Sequence, residues 1–389
     1  MKAVICQGTE LKVEELPEVE PAKGQAVLEV LRCGICGSDL HVRHHCEHMG
    51  NIYSRLGYEN FASVDEPLVF GHEFCGEVLD YGPGTKGKFK LGTRVCALPI
   101  RRQGKDVDMI GFSSNSHGAY AERIVVDESM MVPVPNGLSA DMAALTEPMA
   151  VGWHAVRRAE VRKNEVSIVI GCGPIGLAVV CMLKAAGVQT VVAADFSAGR
   201  RRMAEQCGAD VVINPAEESP YSNWEGHGFM SSVPVFLDKV VGIQETFSKS
   251  PIPWWHSWRL AEKLGATAPK RPVIFECVGV PGLINQIIDS APLGSRIVVV
   301  GLCMETDSIE PVMGIYKEID IRFVMGYTPL EYHDTLHMIA EGKVSCAPMI
   351  TGVVGLDGVD NAFTALGDPE KHAKILIDPK STHVEPVSV

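Results

Sequence analysis

The amino-acid sequence predicts an α/β protein of two domains. A β-rich module occupies residues 1–155 and a doubly wound parallel sheet residues 156–325, with residues 326–389 returning to the first module. Three observations carry this expectation. A chain of 389 residues is about two domains long at roughly 100–200 residues each. Its first 150 residues read as short β-branched or alternating runs punctuated by glycine and proline. From about Val161 apolar strands alternate with helical stretches, a rhythm that implies parallel pairing with right-handed crossovers.

Taken in order, Lys2–Cys6, Gln25–Cys33, Glu73–Tyr81 and Thr93–Leu98 are the strand candidates of the first module, with turns at Pro21-Ala22-Lys23-Gly24 and Gly82-Pro83-Gly84. In the second, Val166–Ile170 reads as a buried strand, Ile175–Ala186 as a helix, and Thr190–Ala194 as a strand ending in Asp195. A charged helix around Arg200–Cys207 and strands at Asp210–Ile213, Val273–Glu276 and Arg296–Val300 follow. Two stretches read as insertions. Residues 41–67 look like a polar loop bearing Tyr53, Tyr58 and Phe61, and residues 215–270 separate two strands while holding Trp224, Trp254, Trp255 and Trp258. A connection that long inside a compact domain should carry structure or function of its own. The exposed aromatics expected there suggest a subunit contact or an edge cover.

Composition narrows the partners. With 35 basic against 48 acidic side chains and a formal charge of −13, the chain lacks the footprint that a nucleic-acid backbone or an anionic membrane would select. The most apolar window, Val166 to Gly187, contains Gly171, Gly173, Pro174 and Gly176, which suits strand–turn–helix better than a membrane span. The N-terminus lacks the apolar core of a signal peptide. Twelve cysteines are too sparse for a disulfide scaffold, so a reducing, cytoplasmic setting is expected.

Gly171-Cys172-Gly173-Pro174-Ile175-Gly176 is a G-x-G-x-x-G sequence that follows an apolar strand and opens an apolar helix, with Asp195 ending the next strand. In that context the pattern predicts dinucleotide binding. Gly171 permits the tight turn, Gly173 lets backbone approach a pyrophosphate at the helix N-terminus, and Gly176 allows close helix–strand packing. Asp195 would accept the adenosine ribose hydroxyls and repel a 2′-phosphate, favouring NAD over NADP, with Arg200, Arg201 and Arg202 close enough to soften that preference.

The second signal is dispersed. Cys33-Gly34-Ile35-Cys36 admits a redox-dithiol reading, but its surroundings are β-rich rather than thioredoxin-like. Downstream stand His72-Glu73 and Glu147-Pro148. One thiolate, one imidazole and one or two carboxylates form the mixed set typical of open, catalytic zinc sites. The cluster His44, His45, Cys46 and His48 is also rich in ligand types, but its spacing fits no standard zinc pattern.

Cys33 through His41, then Gly71-His72-Glu73-Phe74-Cys75-Gly76-Glu77-Val78, then Gly171 through Gly176, occur in the order seen in the zinc-dependent medium-chain dehydrogenases, and over nearly its whole length the chain resembles that family. The resemblance implies a GroES-like catalytic domain, a Rossmann domain, and hydride transfer between an alcohol and NAD. It makes Cys36 and His72 zinc ligands, Glu147 the carboxylate ligand of polyol and threonine dehydrogenases, and Glu73 an acid that binds zinc directly or waits beside it. Glu73 is expected to stay off the metal in at least part of the cycle, because two carboxylates and a thiolate together would make zinc a weak electrophile. Ser38 and His41 match the proton relay, Cys33 falls outside the metal set, and Pro174, Ile175, Arg200, Val278 and Gly301 join the cofactor contacts. The lobe of four closely spaced cysteines is missing, since none lies between Cys96 and His117; one zinc per chain and no structural zinc are therefore expected. The family also implies a homodimer or homotetramer. A zinc-free reductase of activated double bonds and a non-catalytic nicotinamide-sensing protein are the competing readings.

Overall fold

A computed structural model describes residues 1–222, 224–265, 267 and 270–388. The chain divides into two compact units, Met1–Trp153 with Gly326–Val389, and His154–Met325.

The first unit is built on a seven-stranded sheet in which Gln25–Gly34 pairs antiparallel with Glu73–Tyr81, and Glu73–Tyr81 with Arg94–Ala97. The late strand Lys374–Ile377 returns beside Gln25–Gly34, pairing Leu376 with Gly34 and Ile377 with Cys33. That register delivers Lys374, from the far end of the chain, to the sheet end where Gly34 faces Glu73. Cys75, Cys96, Leu98, Val132, Ala143, Ala144, Ala150, Tyr332, Leu336 and Leu376 form one buried core of this unit. Where the missing cysteine lobe would lie, Ile100–Gln103 and Asp106–Met109 form a short hairpin.

One expectation for this unit is corrected. Residues 41–67 are not a loop throughout, because a helix runs from Gly37 to Arg55 with a bend at His45. Val42, Cys46 and Met49 are its buried apolar residues, at the i, i+4, i+7 spacing of an amphipathic helix. Histidines and acids between them hid the period from the sequence reading. His44, His45, Cys46 and His48 lie along this helix, and Cys46 is buried with its Sγ donating to Ala62 O.

The second unit holds a six-stranded parallel sheet in the order Val211–Ile213, Thr190–Ala194, Val166–Ile170, Val273–Glu276, Arg296–Val299, Asp320–Phe323. The order turns outward in both directions from Val166–Ile170, which makes that strand's C-terminal end a topological switch point. The helix there, Pro174–Ala185, is almost wholly buried, so the apolar window is strand, turn and helix; among the described residues no helix is long and apolar enough to cross a membrane. The long insertion contributes helices Trp224–His227, Val233–Ser248 and Trp254–Lys263. The latter two have no buried residue and expose Phe236, Leu237, Trp254 and Trp255. The side chain of Trp224 lies outside the described part.

Candidate active site

In the second unit the glycine motif takes the shape its residues dictate. Gly171 has φ +88°, and a Cβ there would stand 2.5 Å from the Val278 side chain. A Cβ on Gly176 would fall 1.8 Å from Gly171 O, so only glycine allows this packing. Gly173 is the N-cap and Pro174 opens the helix, followed by Ile175, leaving amide groups directed at an anion. The cradle is open where a pyrophosphate would lie, since a Cβ on Gly173 would meet only Arg200 Nη1, at 3.8 Å. Arg200 Nε is buried with no hydrogen-bond partner among the described residues. Asp195 accepts from Cys172 N and Ser197 N, each at 2.8 Å, while Arg201 is tied to the carbonyls of Asp195 and Phe196. Val278 N and Gly279 N donate to the buried carboxylate of Glu276, and Gly301 N to its carbonyl. Sequence reasoning named Val278 and Gly301 but not Glu276, the residue that organises both.

In the first unit, Cys36, His72 and Glu73 each offer a ligand atom, all within 4.8 Å of one another. Local folding explains two of them. Cys36 is the N-cap of helix Gly37–Arg55, its N–H donating to Asp39 Oδ2 at 3.0 Å. His72 and Glu73 sit where strand Glu73–Tyr81 begins. Ser38 Oγ donates to Cys36 Sγ at 3.1 Å and lies 3.5 Å from His72 Nε2. Asp39, fully buried, faces His72 Nδ1 at 3.3 Å and accepts from Tyr120 OH at 2.7 Å. The carboxylate faces Nδ1 at ion-pair distance, and Nε2 lies on the side of Ser38 Oγ.

Glu73 is engaged elsewhere. Lys374 Nζ donates to its two carboxylate oxygens at 2.8 and 2.7 Å and to Ile35 O at 2.8 Å. A Cβ at Gly34 would fall 2.1 Å from Glu73 Oε2, so the glycine makes room for this pair. Glu147 is buried nearby but outside the three-residue group; it is bonded to Tyr327 and close enough to feel His72, Glu73 and Lys374. Cys33 is fully buried and His41 half-buried. The cluster His44, His45, Cys46 and His48 forms no ligand group among the described residues.

The electrostatics show what the cluster lacks. Burial alone would push the His72 imidazole down, yet the facing Asp39 carboxylate and Cys36 sulfur hold it well above the usual histidine range. Burial, reinforced by Glu73 and opposed by His72 and Tyr327, pushes Glu147 up to about 7. Burial holds Glu147 toward its protonated form while the facing Asp39 and Cys36 hold the proton on His72, and a cation on these donors would take the place of both protons. Sulfur, imidazole nitrogen and carboxylate oxygen together are the donors of an open zinc site, so the residues fit the metal.

A dinucleotide cradle in one unit and a thiol–imidazole–carboxylate cluster in the other define a metal-assisted, nicotinamide-dependent oxidoreductase. Comparison with known proteins agrees. Residues 22–136 match the alcohol dehydrogenase GroES-like domain and residues 174–251 the zinc-binding dehydrogenase domain. (R,R)-butanediol dehydrogenase of Bacillus subtilis is 29% identical over 95% of this chain and 97% of its own. Human sorbitol dehydrogenase is 28% identical over 91% and 89%. The crystal structure of 2R,3R-butanediol dehydrogenase from Bacillus subtilis superposes with a TM-score of 0.73 at 28% identity, covering 97% of this chain and 99% of that one. The chain belongs to the zinc-dependent medium-chain dehydrogenase/reductase family. It is an enzyme of alcohol oxidoreduction.

Proposed function

We propose that the protein is an NAD-dependent alcohol dehydrogenase whose single zinc is held by Cys36, His72 and Glu147, with Glu73 kept off the metal by Lys374. The observation that carries this reading is the convergence of Cys36 and His72 beside Ser38, with Asp39 facing the imidazole. Zinc bound there supplies a Lewis acid that lowers the pKa of the alcohol hydroxyl. Ser38, beside Cys36 and His72, would accept the hydroxyl proton, and His41 would exchange it with water. Burial and the neighbouring His45 keep His41 below the ordinary histidine value and therefore neutral enough to receive it. A nicotinamide bound at the glycine turn would supply the hydride acceptor, so that the alcohol would leave as an aldehyde or ketone.

Asp195 supports NAD over NADP, because a carboxylate at the end of the second strand repels a 2′-phosphate. The lack of a cysteine lobe supports one zinc per chain. A homodimer is supported by the edge strand Asp320–Phe323, whose outer side pairs with no further described strand, and by the exposed Ile315, Tyr316, Phe323 and Met325 around it. The exposed tryptophans of the insertion offer a second contact surface for a higher oligomer. Twelve cysteines in 389 residues, too sparse for a disulfide scaffold, support a reducing, cytoplasmic setting. The test is NAD reduction by a panel of primary, secondary and polyhydric alcohols, before and after zinc is stripped with a chelator. Zinc-dependent NADH formation is expected; NADH formation that survives complete removal of zinc, or none with any alcohol, contradicts the reading.

A further inference from the structure

Two of the segments in which this chain departs from its family, residues 41–67 and the stretch replacing the cysteine lobe, meet beside His72. Helix Gly37–Arg55 and the loop after it supply Tyr53 and Phe61, and the stretch replacing the cysteine lobe supplies Phe112. Tyr53 and Phe61 stack with ring centroids 4.8 Å apart and planes at 14°. Phe61 and Phe112 continue the stack at 6.1 Å and 16°. Phe112 in turn packs on the His72 imidazole at 4.8 Å. The arrangement is tied in place, with Ala62 N donating to Phe112 O at 2.9 Å and Asn60 Nδ2 to Asp108 Oδ1 at 2.9 Å. Tyr58 meets the edge of Tyr53 at 5.9 Å and uses its hydroxyl to accept from Met109 N. None of the four rings is fully buried.

We infer that Tyr53, Phe61 and Phe112 are the specificity-determining wall of the alcohol site, selecting an alcohol that carries an apolar ring over an open-chain polyol. This rests on the reading that Cys36 and His72 hold the metal that activates the alcohol. Each of these rings keeps part of its surface exposed, and an alicyclic or aromatic group would cover that apolar surface. A polyol laid against the same surface would strip water from its hydroxyls and find few partners in return, the Tyr53 hydroxyl and the remaining O–H of Tyr58, whose oxygen already accepts from Met109 N. The sequence alone singled out Tyr53, Tyr58 and Phe61; Phe112 is what ties their stack to His72.

The test measures kcat and KM of the zinc-loaded enzyme with NAD for cyclohexanol and 1-phenylethanol against sorbitol and 2,3-butanediol, in the native protein and in Phe112→Ser and Phe112→Leu. Expected is a preference of at least about tenfold in kcat/KM for the ring-bearing alcohols. Phe112→Ser should erase it mainly through a higher KM, and Phe112→Leu should retain part of it. Sorbitol or butanediol oxidised as well as the ring-bearing alcohols by the native enzyme overturns the inference while leaving the dehydrogenase reading intact. So does a Phe112→Ser loss equal for both classes. Turnover of no alcohol at all overturns both.

Discussion

Lys374 and Glu73 form a fully buried ion pair, with the ammonium 2.7 and 2.8 Å from the two carboxylate oxygens. Burial alone would lower the lysine, but Glu73 holds it above its ordinary value, so the ammonium stays charged. The pair sits directly against the Cys36–His72 cluster and occupies the carboxylate that would otherwise compete for the metal. Removing one partner leaves the other charged in a dry interior. Lys374→Met should therefore cost about 3–5 kcal/mol in denaturant unfolding. Glu73→Gln combined with Lys374→Met should recover part of that loss. A single variant as stable as the native protein would show that the pair contributes nothing net.

Zinc should stabilise the protein most at alkaline pH. In the metal-free form Glu147 titrates near 7 rather than near its reference 4.5, and His72 is also raised. Both groups bind more protons folded than unfolded, so metal-free stability falls as pH rises through the window from about 4.5 to 7 and beyond. Zinc replaces those protons. The zinc-induced rise in Tm should thus be larger at pH 8 than at pH 5.5, and Glu147→Gln should shrink the difference. Equal shifts at both pH values would refute this.

His41 should set an acid limb in alcohol oxidation. Its pKa lies below the usual 6.5, through burial first and His45 second, and it must be neutral to take a proton. The kcat/KM profile should rise with pH through a value below 6.5 and then level. His41→Gln should lower the rate at pH 7 by about a hundredfold, with recovery at high pH where hydroxide takes the proton directly. A variant with an unchanged profile would remove His41 from the relay.

Asp195→Ser should relax cofactor choice. Losing the carboxylate removes the repulsion of a 2′-phosphate and leaves Arg200 and Arg202 nearby. The ratio of kcat/KM for NAD to that for NADP should fall by at least about tenfold. An unchanged ratio would locate the preference elsewhere.

What the sequence made legible was local. The glycine turn, its strand and helix, and Asp195 all lie between Val166 and Asp195, and period and turn chemistry define them without long-range information. Cys36, His72 and Glu73, which the fold brings together, became readable as a set only through the family's motif order, because nothing in their spacing says that they converge; Glu147 was named on the same resemblance. Lys374 was not readable at all. It lies 301 residues from Glu73 and reaches it through the pairing of the last strand with Gln25–Gly34, a register that no local pattern encodes. Asp39, Tyr120 and Tyr327 escaped for the same reason. Helix Gly37–Arg55, by contrast, could have been found, since the stripe Val42, Cys46, Met49 was present among its histidines.

Zinc stoichiometry in the native protein and in Cys36→Ala and His72→Ala tests the central claim most directly. Metal analysis of the purified proteins should give one zinc per chain for the native form and close to none for either variant, each still folded by circular dichroism. A native protein without zinc, or folded variants that keep their full complement, would contradict the account.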